Sequence, residues 1–193
     1  MDKKAELLKC AKELFTTLGY KNTNISKITK MAGMATGTFY NYFESKDSIF
    51  MEIYIEENGK LKEEILKEVD LDANPMEVMH ILSKLNYQGM MNNPILRHWY
   101  DKETFNKIEQ SFKTSNGLEN LDFMYNDFIK IIEYWQENNK IRKDIKSDMI
   151  MAIFNALINV DLHKEEIGIK YFPDMMDYLS QFVMDGLMTT ETK

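Results

Sequence analysis

The sequence of 193 residues contains few of the residues that interrupt helices, only eight glycines and three prolines. With many Leu, Ile, Met, Lys and Glu residues, this composition favours helices over strands. A single cysteine, Cys10, excludes an intramolecular disulfide; beside Lys9 it could be a redox-active thiol or a small, partly buried one. No apolar run is long enough for a membrane span or a signal peptide. We therefore expect an all-α protein of the reducing cytoplasm.

The residue patterns of enzymes are also missing. The three histidines are scattered, and the spacings typical of zinc proteases, dithiol sites and dinucleotide or phosphate loops do not occur. One acidic group, Asp161, His163, Glu165 and Glu166, could hold a metal, but helical spacing points several of these side chains apart and favours solvated charges. We predict no enzyme, no cofactor and no metal site.

Charge is unevenly distributed along the chain. Residues 1–50 contain eight lysines against five acidic residues, a net +3, whereas residues 51–193 contain 16 basic against 26 acidic residues, a net −10. Because salt screens each charge beyond about 8–10 Å, a local basic surface can attract phosphates despite the overall charge of −7. The excess is small, so a slightly basic N-terminus without a function is the other interpretation.

Apolar periodicity predicts a short helix, a tight turn and another short helix near the N-terminus. A first helix ends at Gly19, a second covers 25–32 after three possible capping residues, Asn22, Thr23 and Asn24, and a third covers 36–43 after a turn at Gly33. This order is typical of a helix-turn-helix, in which the first of the paired helices holds the second in the major groove of DNA.

The rest of the chain also has helical periodicity. Ser45 is placed to cap a fourth helix from Lys46 to about Val69, with Gly59 inside it; a break at Gly59 is the alternative. Further helices are predicted over 76–91, 118–138 and 145–162, and a last one after Pro173. The prediction is about nine helices, with a helix-turn-helix DNA-binding domain over 1–47 and a second, helical domain over 48–193.

The run from Asn24 to Ile49, NISKITKMAGMATGTFYNYFESKDSI, resembles the DNA-binding segment of the TetR family of bacterial regulators. The matching features are an Ile near the end of the second helix, Ala-Gly at the turn, and a small residue, Gly and Thr opening the third helix. A Tyr, a Phe and a Lys followed by an acid complete them. In this sequence they are Ile28, Ala32, Gly33, Thr36, Gly37, Thr38, Tyr40, Phe43, Lys46 and Asp47.

The resemblance implies contacts to double-stranded operator DNA. Base and sugar-phosphate contacts are implied for Thr36, Gly37, Thr38, Asn41 and Tyr42, and phosphate contacts for Asn24, Ser26, Lys27, Tyr40 and Lys46. Phe39 and Phe43 look like core residues. Thr29 and Ala35 replace the Ala and Ser frequent in the family, so the cap of the third helix is less sure. Because no Arg precedes Arg97, we predict an operator rich in A·T pairs.

Family resemblance also implies a homodimer and a ligand pocket. The segment 145–162 is apolar on nearly all sides, so one face should meet a second copy; a large internal helix is the alternative. The predicted dimer interface is Ile153, Phe154, Leu157, Ile158, Met176, Leu179, Phe182 and Val183. The predicted pocket is Tyr87, Met91, Trp99, Tyr100, Phe105, Phe112, Phe123, Phe128 and Trp135, although such stripes are also typical of an ordinary core.

The function predicted from these observations is a dimeric, sequence-specific regulator, a repressor released from its operator by a small, mostly apolar effector that could be cationic. Two recognition helices would enter successive major grooves about 34–36 Å apart. An all-α enzyme and a protein-docking module are the alternatives, and neither needs the third-helix pattern.

Overall fold

The computed structural model describes residues 2–101, 118–162, 167–172 and 174–188. Within these ranges there are eight α-helices: α1 (Lys3–Asn22), α2 (Ile25–Met31), α3 (Thr36–Phe39), α4 (Lys46–Glu68), α5 (Pro75–Asn92), α6 (Leu118–Glu137), α7 (Ser147–Leu162) and α8 (Asp174–Leu187). Two short 3₁₀ helices, η1 (Leu96–Tyr100) and η2 (Ile169–Tyr171), accompany them. An all-α fold is thus confirmed; these ranges contain no strand, only an isolated bridge between Ile141 and Met188.

Helix starts are set by short polar side chains. Asp2 Oδ1 accepts from the amides of Lys4 and Ala5 at 2.9 and 3.3 Å, which caps α1. At the start of α4, Ser45 Oγ accepts from Ser48 N while Ser48 Oγ accepts from Ser45 N, both at 3.1 Å. This reciprocal pair satisfies two amides that the helix cannot pair itself, as a capping box does. The predicted cap at Ser45 is confirmed.

Glycine positions match two of the predictions. Gly19 has φ 79°, a left-handed conformation that interrupts α1 where the sequence predicts its end, and a short last turn then continues to Asn22. Gly59 lies inside α4, which runs unbroken from Lys46 to Glu68, so the alternative of a break there is not observed.

No helix in the described ranges has the length and apolar character needed to cross a bilayer.

The third helix is shorter than predicted. The sequence predicts a helix over 36–43, but regular α-helix covers only Thr36–Phe39. The amides of Asn41 and Tyr42 bond three residues back, to Thr38 O and Phe39 O, so the chain tightens after Phe39. Phe39 precedes this tighter turn and Phe43 follows it, and both rings are buried in the core.

The chain divides into two compact units. The first comprises residues 1–68 and 83–119 and the second residues 69–82 and 120–193, so the division falls within α5. The predicted domain boundary after residue 47 lies inside the first unit. That unit has one apolar core, which joins residues of α1, α2, α3 and α4 to Met90, Ile95 and Leu96.

The second unit is organised around Trp135, which is buried in α6 and donates its ring N–H to Leu71 O at 3.2 Å. The ammonium of Lys140 lies on the carbonyls of Leu71, Asp72 and Ala73, which holds the 71–73 loop against the end of α6. Trp135 therefore has its polar atom satisfied within the core. Elsewhere in the second unit, helix α7 packs against α8.

Candidate nucleic-acid interface

Helix α2 begins at a side-chain cap. Asn24 Oδ1 accepts from Lys27 N at 2.9 Å, and Lys27 Nζ donates to Asn22 O at 2.7 Å. Asn24, Ser26 and Lys27 are all exposed, so their side chains lie at the surface where α2 begins. This is the end of a helix at which free amides and the helix dipole favour an anion.

The turn between α2 and α3 depends on Gly33, whose φ of 66° is left-handed. Met34 N donates to Thr29 O at 2.8 Å and Gly33 N to Lys30 O at 3.2 Å. These two bonds form the Schellman arrangement that closes a helix and turns the chain sharply. The Gly33 turn therefore sets the direction in which α3 leaves α2.

Helix α3 exposes small polar residues. Thr36, Gly37 and Asn41 are exposed and Thr38 is half-buried. A methyl group added at Gly37 would meet nothing within 4 Å, so packing inside the chain does not require glycine there. Ala35, before the first residue of α3, makes no side-chain cap bond, which confirms that the cap of this helix is weak.

Aromatic residues around α3 divide into buried and exposed rings. Phe39 and Phe43 are buried, which confirms them as core residues, and Tyr40 and Tyr42 are exposed. The Tyr40 ring stands edge-on to Phe39, with centroids 5.6 Å apart. The rings that reach the surface therefore carry hydroxyl groups, and the rings without them face inward.

Lys46 is held by the chain itself. Its Nζ donates to Tyr20 O at 2.9 Å and to Thr23 O at 3.1 Å, and lies 4.0 Å from the centre of the Tyr20 ring. The Tyr20 hydroxyl donates to the Asp47 carboxylate, and burial followed by this bond raises the pKa of Tyr20 well above its usual range. Lys46 therefore fixes the start of α4 to the end of α1, next to the exposed start of α2.

The predicted pocket residues are found in both units. In the first unit Tyr87, Met91 and Tyr100 are exposed, and the rings of Tyr87 and Tyr100 lie edge-to-face with centroids 5.7 Å apart. In the second, Trp135 is a satisfied core residue and Phe128 stands edge-on to Phe154 at 5.4 Å. Phe105 and Phe112 lie outside the described residues, as do the side chains of Trp99 and Phe123.

The predicted dimer residues lie on α7 and α8. Phe154 is buried inside the chain, whereas Ile153, Leu157, Met176, Leu179 and Val183 are half-buried and the Ile158 side chain lies outside the described residues. Phe182 is 66% exposed, and its ring stacks on Tyr178, 60% exposed, at a centroid distance of 6.2 Å. Two large rings therefore lie side by side on the outer face of α8.

Cys10 is buried in α1, and burial, followed by the nearby Glu6 charge, raises the pKa of its thiol. Of the two interpretations of this residue, the structure favours the small buried thiol. The part of the chain that the structure describes contains no group of three potential metal ligands. His163, Glu165 and Glu166, and the side chain of Asp161, lie outside it.

Residues 7–53, which contain α1 to α3 and the start of α4, match the family model described as bacterial regulatory proteins, tetR family. The predicted resemblance to this family over the N-terminal helices is therefore confirmed. It is 27% identical over 195 positions to the transcriptional regulator QacR of Staphylococcus aureus, a match that covers 97% of this chain and 99% of that protein. QacR, which this chain matches over nearly its whole length, is a transcriptional regulator.

Solved structures share the fold. FadR from Bacillus subtilis, in complex with stearoyl-CoA, superposes with a TM-score of 0.59 at 18% identity, covering 94% of this chain and 98% of that chain. A TetR-family regulator from Marinobacter aquaeolei superposes with a TM-score of 0.54 at 14% identity, covering 97% and 96%. An N-terminal helix-turn-helix followed by a helical domain is therefore the architecture of this chain.

Sequence patterns do not indicate several contacts that hold the helix-turn-helix in place. Local patterns predict a cap within residues 22–24, a cap at Ser45 and the turn at Gly33, but they do not indicate that Lys46 binds two carbonyls more than 20 positions away. They also gave no sign that Asn93 contacts Glu57, at 3.1 Å across 36 positions. The Lys46 contacts follow from the approach of the end of α1 to the start of α4, which also brings Tyr20 to Asp47. No sequence pattern indicates this approach.

Proposed function

We propose that the chain is a dimeric repressor that reads its operator with α3. The supporting observation is the surface formed by the half-buried Thr38 and four exposed residues, Thr36, Gly37, Asn41 and Tyr42, above the buried rings of Phe39 and Phe43. Short amide and hydroxyl side chains suit the edges of bases, and Gly37 allows the backbone to approach DNA. Asn41 would accept from and donate to adenine, which favours A·T pairs.

Phosphate contacts are proposed for the residues that surround α3. Asn24, Ser26 and Lys27 are exposed at the start of α2, and Tyr40 brings a hydroxyl to the surface. We propose that the charge of Lys46, whose ammonium lies on the carbonyls of Tyr20 and Thr23, attracts a phosphate of the operator. Each such contact positions the protein on the duplex and makes binding depend on salt.

A second copy is proposed to cover α7 and α8. The stacked rings of Tyr178 and Phe182 and the exposed Met149 present apolar surface that association would remove from water. Two copies related by a two-fold axis would bring two recognition helices to a palindromic site. Repression follows if the bound dimer blocks access of polymerase to a promoter.

The proposed effector is a small, mostly apolar molecule. The exposed Tyr87–Tyr100 ring pair and Met91 are apolar surfaces that such a ligand could cover, and stearoyl-CoA, bound by the FadR structure of the same fold, is a molecule with a long apolar chain. The effector would favour a subunit arrangement that no longer fits the operator, by as much as its affinities for the two arrangements differ.

Selection of genomic DNA fragments by the purified protein, across a salt series, tests the proposal. The expected result is a palindrome rich in A·T pairs, including the protein's own upstream region, with affinity that falls steeply as salt rises. A consensus rich in G·C would contradict the assignment of Asn41, and the absence of any selected site from folded protein would contradict operator binding itself.

Effector release is tested separately on the selected operator. A panel of lipophilic compounds with neutral, cationic and acyl-thioester head groups is added while DNA binding is followed by fluorescence anisotropy. At least one class should raise the melting temperature and release DNA. If none does either, the proposed apolar effector is wrong, while the DNA-binding function stands.

A further inference from the structure

Three elements of the first unit meet at the carboxylate of Glu57 in α4. Lys12 Nζ of α1 donates to Oε1 at 2.6 Å, and Asn93 Nδ2, just after α5, donates to Oε2 at 3.1 Å. Lys60 Nζ, one turn along α4, lies 3.2 Å from Oε1. We call Lys12, Glu57, Lys60 and Asn93 the Glu57 cluster. Both carboxylate oxygens of Glu57 are therefore used to join separate segments.

Asn93 also organises the residues that follow it. Its Oδ1 accepts from Ile95 N at 2.8 Å and from Leu96 N at 3.3 Å, at the start of η1. Ile95 and Leu96 are buried in the apolar core that also contains Ala11 of α1. One amide side chain thus holds the start of η1 through its oxygen and Glu57 through its nitrogen.

The charge of Glu57 strengthens these contacts. Burial alone would raise its pKa, but the bonds from Lys12, Asn93 and Lys60 lower the pKa below its ordinary value, so the group is ionised at neutral pH. Hydrogen bonds to an ionised group are roughly twice as strong as neutral ones. The Glu57 side chain is also only 12% exposed, which reduces competition from water.

A second ion pair between the same helices provides a contrast. Lys4 and Glu52 join α1 to α4 at 2.8 Å, but their side chains are 42% and 43% exposed. Exposed pairs of this kind contribute little to stability. Among the described hydrogen bonds and ion pairs, none joins Glu52 to η1. This pair therefore joins the same two helices as the Glu57 cluster without a bonded link to η1.

Helix α1 is connected through α2 to α3, the proposed recognition helix. Helix α1 packs on α2, and α2 packs on α3. We propose that Glu57 is a positioning residue for DNA binding, which through Lys12 and Asn93 couples the placement of α1 to the order of η1. The proposal rests on the operator binding proposed above. Linkage is reciprocal. If an ordered η1 raises the affinity for the operator by some factor, then bound operator should raise the equilibrium constant for ordering η1 by the same factor.

Hydrogen exchange at the amides of Ile95 and Leu96 tests the coupling, since both amides bond directly to Asn93. Exchange is measured on the full-length protein with and without the selected operator. In the wild type, operator should slow both amides by about fivefold or more, the lower range of typical coupling between sites. A wild type that binds operator without slowing them overturns the proposal, whereas a wild type that binds no operator refutes the proposed function on which it rests.

Variants then identify the route. Glu57→Gln keeps the size of the side chain and removes its charge, and Asn93→Asp keeps the acceptor for Ile95 and Leu96 while placing an acceptor against Glu57. Both should bind operator more weakly and lose the operator-dependent slowing, and Glu52→Gln, the matched control, should retain it. If either variant loses its helical circular dichroism, Lys12→Met replaces it, because that change removes only the α1 contact. Unchanged slowing in the folded variants overturns the role of Glu57.

Discussion

Helices α3 and α8 both expose residues to solvent, and the chemistry of those residues differs. The surface around α3 carries hydroxyl and amide groups, and Phe39 and Phe43 are buried beneath it. On α8 the stacked rings of Tyr178 and Phe182 are themselves exposed. A polar surface over an apolar support suits a hydrated polyanion, while exposed rings gain free energy when another apolar surface covers them. The two faces are therefore suited to different kinds of partner.

The largest expected effect is on α8. Phe182→Glu should weaken association of two copies by about 30-fold or more, since an aromatic residue in the middle of an interface contributes about 2 kcal/mol or more. Sedimentation across a concentration series measures this change. Binding to a palindromic operator should weaken with it.

Tyr171→Glu is the matched control for this change. Tyr171 is also largely exposed, but it lies in η2, outside the predicted interface. It should leave the association constant unchanged. Equal weakening by both variants would mean that added charge alone, rather than the α8 surface, controls association.

The next effect concerns Lys46, which joins the start of α4 to the end of α1 in the unit that contains α3. Lys46→Met removes a charged donor from the carbonyls of Tyr20 and Thr23, so the free energy of unfolding should fall by about 1.5–3 kcal/mol. Urea denaturation measures the loss. Lys46→Arg, which keeps the charge, should lose less, and an equal loss from both variants would contradict the role of the charge.

Gly37→Ala should change stability and DNA binding in opposite directions. A methyl group meets nothing within 4 Å of this position, so the variant should unfold at the same or a higher free energy, by up to about 1 kcal/mol. Operator affinity should fall by about tenfold, because the methyl group would stand between the backbone and DNA. Anisotropy titration and urea denaturation separate the two effects, and unchanged affinity would remove Gly37 from the interface.

The smallest expected effect concerns the core of the first unit, where protonation of His98 should lower the stability of the folded protein. His98 packs against the rings of Tyr20 and Phe50, and burial lowers its pKa, with Arg97 and Lys21 acting in the same direction and Asp101 against it. The unfolded chain then binds a proton more readily than the folded one, so stability is full above about pH 6.5 and falls as the pH decreases through the folded pKa.

Thermal melts compare the wild type with His98→Phe, which keeps a ring and cannot titrate. From about pH 7.5 to about pH 5.5 the wild type should lose more of its melting temperature than the variant does. Parallel curves would show that His98 does not contribute to the pH dependence of stability.

Much of the fold could be predicted because its signals are local. Gly33, Ser45 and the apolar stripe of α4 each act within a few positions, and the helices they predict are observed. Phe39 and Phe43 were predicted as core residues from their place in a family motif. The end of α3 was not predicted, because the amides of Asn41 and Tyr42 bond three residues back, and apolar periodicity does not distinguish such turns from α-helix.

The contacts that hold the candidate site could not be read from the sequence. Lys46 is an ordinary lysine at the start of a helix until Tyr20 and Thr23 are brought beside it. The pocket stripe shows the converse limit, since Trp135 has the residue type of a ligand contact and the hydrogen bond of a core residue. Periodicity indicates which residues are apolar, but whether a ring faces a ligand or a neighbouring helix depends on tertiary packing.

The burial of Cys10 has a practical consequence for spectroscopy. Its side chain is 4% exposed and its thiol is kept protonated, so maleimide reagents should leave it unmodified in the folded protein. Because it is the only cysteine, a thiol introduced on the surface, for example by Asn41→Cys or Tyr178→Cys, would be the single reactive position. A dye could thus be attached beside α3 or on α8 without first replacing Cys10.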